Sequence, residues 1–325
     1  NPEIAGAVFD GFITSTLSPI VYQILFMGLC IFVIVQGVKG GIEKWSKIMM
    51  PVIIVLLGVL AIRGMTLEGG MEGLSFLFNP RFEDLTASAI VLALGHSFFT
   101  VSLGMGTMIT YGSYLDKKKS DIPGSVGIVV FFDTAIAIIA GLVIFPALFA
   151  FGIEPNSGPG LLFVTMASLF KEIPFGMFLG GLFFFLVFIA AFTSIIGLLE
   201  AVISTAIDSF KISRIKSVII CVAMTFILCV PNILGFSTWS DFQIFGMSIF
   251  GFFDFLSAKI LLPLGGLLIS VYVAHIWGFN KFMEETNEGS ENIKVTPIWG
   301  PVMKFIIPII ILVILVYGLA GQNLA

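Results

Sequence analysis

A chain of 325 residues that is 58% hydrophobic and only 11% charged, with 35 Phe, is no ordinary soluble domain, since such domains carry about a quarter charged residues. Its mean hydropathy of +1.10 points to an all-α polytopic membrane protein. The formal charge of −4 says little by itself, because in a membrane the placement of charge matters more than its sum, and no nucleic-acid partner is expected.

Eight apolar stretches read as spans, near 19–38, 48–66, 86–114, 124–152, 175–207, 215–235, 244–278 and 299–320. The third is broken. Its centre, Gly95-His96-Ser97-Phe98-Phe99-Thr100-Val101-Ser102-Leu103-Gly104-Met105-Gly106, carries hydroxyls and then Gly-x-Gly where a helix should be most regular. Interrupted helices are tolerated in lipid only where the freed backbone groups line a cavity or bind something. Residues 153–174 are longer than a tight turn needs, and such loops often fold over an outer vestibule. Glu284 to Glu291 reads as a solvated acidic linker. Cys30, Cys221 and Cys229 all sit in apolar stretches, without metal-ligand spacing, and read as small apolar side chains.

The connections alternate in charge. Lys39, Lys44 and Lys47, then Lys117, Lys118 and Lys119, then Lys211, Arg214 and Lys216, then Lys281, Lys294 and Lys304 mark one side. The intervening connections hold only Arg63, Arg81 and Lys171. The positive-inside rule makes the lysine-rich loops cytoplasmic in an inner (plasma) membrane, with both chain ends outside.

Ionisable residues inside spans are expensive and usually functional. Asp133, Glu200, Asp254 and Lys259 remain after sorting, with His96 as a titratable fifth. Asp133 is either a buried carboxylate satisfied by a backbone or hydroxyl donor, or an ion ligand. His96 is either a satisfied core histidine or a site residue. Lys259 defaults to snorkelling toward a headgroup. In the fifth span Ala190, Thr193 and Ser194 fall at i, i+3 and i+4 on one helix face. Hydroxyls and main-chain carbonyls suit a hard cation such as Na⁺, although membrane Ser and Thr also bond back to the preceding turn.

These residues carry a resemblance. Gly95–Gly106 with the later Ile-Thr-Tyr-Gly-Ser-Tyr resembles the sixth, unwound helix of the neurotransmitter:sodium symporter family. Gly41 and Pro51, with nine residues between them, resemble that family's fifth-helix unwinding motif. Ala-Ala-Phe-Thr-Ser at 190–194 is similar to its eighth helix, and Asp254-Phe-Leu-Ser-Ala-Lys-Ile-Leu-Leu-Pro-Leu-Gly-Gly to the tenth helix of bacterial members. The resemblance runs in order along essentially the whole chain.

It implies an inverted-repeat sodium symporter fold, of which these eight spans are the family's helices 4–11 in a single transmembrane domain. It implies that Thr100 and Asp133 hold one Na⁺, and that the Ala190 carbonyl, Thr193 and Ser194 hold a second. Phe99, Ser102, Gly104, Met105, Ser194 and Leu198 would line the substrate pocket, with Phe99 as an aromatic lid. Asp254 would be the acidic half of an outer gate, while Tyr114, Glu200 and Asp208 fall at inner-gate positions. Two departures matter. Chloride-dependent members carry Asn and, four residues later, Ser where this chain has Asp133 and Ala137. A fixed carboxylate supplies the negative charge that chloride would otherwise supply, so transport is expected to be chloride-independent, with Asp133 open to proton exchange on the return step. His96 stands where the family often has Gln, which leaves a pH dependence open. Met105, Phe in some relatives, adapts to irregular shapes and suits a range of apolar or aromatic amino acids.

The expected function is sodium-coupled symport of a small apolar or aromatic amino acid into the cell by alternating access, in contact with membrane lipid. The first residue is Asn, and nothing before the first span resembles the family's Gly-rich first helix. The chain is therefore expected to lack the first three helices, which complete the site and carry the arginine partner of Asp254, and not to transport alone. The alternatives are a non-transporting amino-acid and sodium sensor of the same fold, or an inactive truncated fragment. An enzyme is disfavoured, since no His-Glu-x-x-His or Gly-x-Ser-x-Gly occurs. A channel is disfavoured because the polar groups cluster at one depth.

Overall fold

The computed structural model describes residues 2–320 except 117, 154, 156, 157, 291 and 292. Asn1, Lys117 of the second lysine cluster, residues 154, 156 and 157 of the long loop, and Glu291 of the acidic linker thus lie outside the described residues. The chain is all-α and polytopic: among the described residues seven helices are long and apolar enough to cross a membrane. The stretch read as the third span is the exception, two short helices separated by six residues. The chain divides into two compact units.

The first unit comprises Asn1–Pro80 and Ala135–Ile249. It contains α1 (Pro2–Ile13), α2 (Leu17–Val35), α3 (Lys44–Met65), α4 (Gly70–Phe78), the second half of α7 (Ile122–Ala150), α8 (Met166–Glu172), α9 (Gly176–Phe210) and α10 (Arg214–Phe236). Its core is α2 against α10 and α9, with α3 along α9. Cys30, Ile34, Ile203 and Val218 are fully buried there, and Cys221 is buried beside them. Phe26 meets Phe188 and Phe192 edge-on at 5.8 Å, the geometry that sets a positive ring edge on a negative ring face. The segment after residue 157 winds into a π turn, Leu161–Thr165, and α8, both packed within this unit. α9 has 35 residues, about 52 Å at 1.5 Å per residue against a hydrocarbon core of about 30 Å. It tilts, or one end stands in water.

The apolar stretch read as beginning at 244 starts as a hairpin instead of a helix. β1 (Gln243–Ile244) and β2 (Met247–Ser248) pair Gln243 with Ser248. Both loop residues have positive φ, Phe245 at 53° and Gly246 at 79°, which is a type I′ turn.

The second unit comprises Arg81–Thr134 and Phe250–Ala325. It holds α5 (Ala87–Thr100), α6 (Thr107–Ser113), the first half of α7, and a rod running Ile249–Asn287. The rod is built from α11 (Ile249–Asp254), a π turn (Phe255–Leu261), α12 (Leu262–Val271), a second π turn (Tyr272–Gly278) and α13 (Phe279–Asn287). After it come α14 (Trp299–Pro301), a π turn (Val302–Ile306) and α15 (Ile307–Ala320). α12 packs on α15, and both pack on α5. α5 has no fully buried residue.

Candidate functional site

The break lies at 101–106, inside the run of hydroxyls and glycines. α5 closes in a Schellman cap: Leu103 N–H donates to Phe98 O at 2.9 Å and Ser102 N–H to Phe99 O at 3.1 Å. The left-handed position of that cap normally belongs to glycine, but here Ser102 occupies it at φ 54°. Gly104 at φ 79° and Gly106 at φ 78° complete the turn, and Gly106 caps α6. The broken segment is held by backbone contact with α12. A Cβ on Gly104 would lie 2.3 Å from Leu262 O, and one on Gly265 would lie 2.5 Å from Gly104 O. Only glycine at these positions admits so close an approach. Behind the break is an apolar cavity of about 340 Å³, lined by Phe98, Ser102, Gly104, Ile269 and Met303 among others. Met105 is half-buried. Thr107, which the sequence did not single out, is buried at the start of α6, and its hydroxyl has no hydrogen-bond partner among the described residues.

The second unit brings four sequence-predicted residues to one cavity of about 290 Å³: His96 and Phe99 from α5, Asp254 from the end of α11, and Lys259 from the π turn. Tyr317 of α15 joins them, its hydroxyl hydrogen-bonded to Ser88. Thr100, one residue beyond Phe99, donates its hydroxyl to Ser97 O at 3.2 Å. Asp133 is half-buried on α7. Its carboxylate makes no ion pair among the described residues.

In the first unit the hydroxyls of Thr193 and Ser194 both donate to Ala190 O, at 3.0 and 2.9 Å. This is the back-bonding expected of membrane Ser and Thr. It also gathers three neutral oxygens within one turn of α9. Each hydroxyl spends its proton on the carbonyl and keeps lone pairs free for a cation. Leu198 lies exposed one turn further on, and Asp208 is exposed near the end of α9.

Glu200 is fully buried, and its carboxylate is gripped by Arg214, with Nη1 on Oε1 at 3.0 Å and Nη2 on Oε2 at 2.6 Å. The same guanidinium donates through Nε and Nη2 to Ile34 O at 3.0 Å. One arginine therefore clamps α9 to α10 and α2. The fork geometry is what makes Arg fit a carboxylate twice. Arg214, the first residue of α10 and next to Lys211 and Lys216 in sequence, thus spends its charge on an internal clamp. Tyr114 caps the C-terminus of α6.

Gly41 and Pro51 both lie in wound helix. Gly41 sits in a π turn, Val38–Glu43, where a Cβ would fall 2.1 Å from Val33 O. Pro51 is inside α3. The ring nitrogen cannot donate, which leaves the Lys47 carbonyl outside the helical ladder. The wound segment thus keeps a built-in weak point.

Residues 13–323 match the Sodium:neurotransmitter symporter family. An uncharacterized sodium-dependent transporter of Bacillus subtilis, YhdH, is 36% identical over 95% of this chain and 68% of its own length. A counterpart in Haemophilus influenzae is 37% identical over 92% of this chain and 65% of its own length. The chain thus spans about two thirds of the length of these relatives. The crystal structure of MhsT in complex with L-phenylalanine superposes with a TM-score of 0.86 at 38% identity, over 97% of this chain and 71% of that one. The chain belongs to the sodium:neurotransmitter symporter family, a family of sodium-dependent transporters.

Proposed function

We propose that the full-length protein carries a small apolar or aromatic amino acid into the cell together with sodium, and without chloride. The observation that carries this reading is the break at 101–106, where a membrane helix gives up its ladder beside Phe99, Ser102, Gly104 and Met105. Backbone groups released there can meet a substrate's carboxylate and ammonium groups, which an intact helix cannot do. The binding of L-phenylalanine by MhsT supports an amino acid as the cargo. Met105, with a flexible thioether chain, suits an apolar side chain of variable shape.

The donor sets fit sodium. Ala190 O with the Thr193 and Ser194 hydroxyls is an uncharged oxygen cluster on one turn. Asp133, without a cationic partner among the described residues, supplies the charge of the other set, which Thr100 joins. Sodium, when bound, supplies the positive charge that makes both sets favourable. Asp133 carries the fixed negative charge that renders chloride unnecessary. On α9 we assign Ser194 and Leu198 to substrate binding, and Glu200, held by Arg214, and Asp208 to the inner gate; in the second unit we assign Phe99 and Asp254 to the outer gate and Tyr114 to the inner one. Gly41 and Pro51 mark where the fifth helix opens. The lysine-rich connections, with Arg214 at the start of α10 among their charges, face the cytoplasm of the plasma membrane.

Uptake of radiolabelled L-phenylalanine into proteoliposomes tests the reading. Replacing sodium by choline should abolish uptake, and replacing chloride by gluconate should leave it unchanged. A large loss in gluconate would refute chloride independence. Sodium-dependent binding with no uptake would identify a sensor instead.

A further inference from the structure

Asp254 and Lys259 are five residues apart on the rod Ile249–Asn287. In a regular α-helix with 3.6 residues per turn, a five-residue step swings a side chain through about 140°, to the far side. Here the intervening stretch, Phe255–Leu261, is a π turn. Its i→i+5 ladder stacks residues five apart almost one above the other. Both charged side chains consequently line the same cavity of about 290 Å³, with His96 and Phe99 of α5 and Tyr317 and Gly318 of α15.

The lysine is seated and does not simply dangle. Its stem lies along Gly318, where an added Cβ would meet Lys259 Cβ at 3.4 Å and Cδ at 3.7 Å. The Ser88–Tyr317 hydrogen bond ties α5 to α15 beside it. Carboxylate and ammonium share the cavity without forming an ion pair among the described residues. Four flexible carbons separate the ammonium from its backbone, so a rotamer change moves the charge by several ångströms.

We propose that Lys259 is a positioning residue of the outer gate, a resident counter-charge that takes the Asp254 carboxylate when the outer pathway opens and releases it when the pathway closes. This rests on Asp254 being the acidic half of that gate. Asp254 and Lys259 are both exposed, and opening otherwise leaves the Asp254 carboxylate without a counter-charge beside the rings of Phe99 and Tyr317. Lys259 supplies that counter-charge in the open state alone, so it raises the share of molecules open to L-phenylalanine, which the apparent association rate follows.

The test uses the full-length protein in proteoliposomes and the association rate of L-phenylalanine followed by stopped-flow tryptophan fluorescence. Lys259→Met should slow association about two- to fivefold, the range a partly exposed ion pair supplies. Lys259→Arg should restore it. In an Asp254→Asn background, Lys259→Met should cause no further slowing, because the pair is already broken. Gly318→Val, which fills the seat of the stem without touching either charge, should slow association likewise, and provides the answer if Lys259→Met does not fold. Association as fast as in the native protein for Lys259→Met or Gly318→Val overturns the proposal. So does a Lys259→Met effect undiminished in the Asp254→Asn background. Native opening kinetics in Asp254→Asn alone would overturn the gate reading itself, a result obtained without touching Lys259.

Discussion

Ser102 is the residue where backbone cost and chemistry meet. Its φ of 54° lies in the left-handed region, which is unfavourable by about 1–2 kcal/mol for a residue with a Cβ. Glycine would satisfy the Schellman cap without that strain, and the proposed role of Ser102 in the substrate pocket gives its hydroxyl a use that can be tested. Ser102→Gly should stabilise the fold by about 1 kcal/mol while weakening amino-acid binding, two opposite signs readable in thermal unfolding and in equilibrium binding. A hydroxyl of no consequence to the ligand would leave binding untouched. Other residues were less legible. Glu200 and Arg214 are both visible as charges, but their pairing needs the turn between α9 and α10 to fold α10 back along α9. No spacing rule predicts that. Thr107 gave no signal beyond being one more threonine after Gly106.

At the scale of the element, α5 and α6 differ from the other membrane helices because their ladder is cut and the cut is fastened to α12. The glycines were visible as a break, and their second use was not: Gly104 and Gly265 let two backbones touch. Gly265→Ala should therefore destabilise by about 1–3 kcal/mol through overpacking. Gly58, in α3 with nothing within 4 Å of an added Cβ, should show the opposite sign on substitution by alanine, by about 1 kcal/mol. Equal responses of the two in thermal unfolding would count against the seam. The apolar runs made the helices themselves readable, since length and hydropathy are what a bilayer selects. Their ends were less so. The hairpin at 243–248 is short and apolar, and nothing in composition separates it from the start of a helix.

For the whole molecule, sodium is the natural stabiliser if its ligands are the oxygens of α9 and the pair Thr100 and Asp133. A ligand bound only by the folded state adds about 2.7 kcal/mol at one hundred times its dissociation constant. The unfolding midpoint of the full-length protein should rise with sodium over choline at equal ionic strength, and Asp133→Ala should blunt the rise. An identical midpoint in both salts would leave the two oxygen sets without a cation. Family membership was legible as an order of motifs along the chain. The division into two units was not, because it depends on which faces of α7 and the rod pack, and period alone does not say so. The π turn at Phe255–Leu261 has one further consequence. A π turn is an α-helix with one residue too many, absorbed without disturbing the phase of the flanks. When this helix is aligned with a relative that is α-helical throughout, the correct alignment carries a one-residue gap inside a transmembrane segment. A gap penalty that forbids this will slide Asp254 or the Leu262–Gly266 seam out of register by one position, and misassign whichever side it moves.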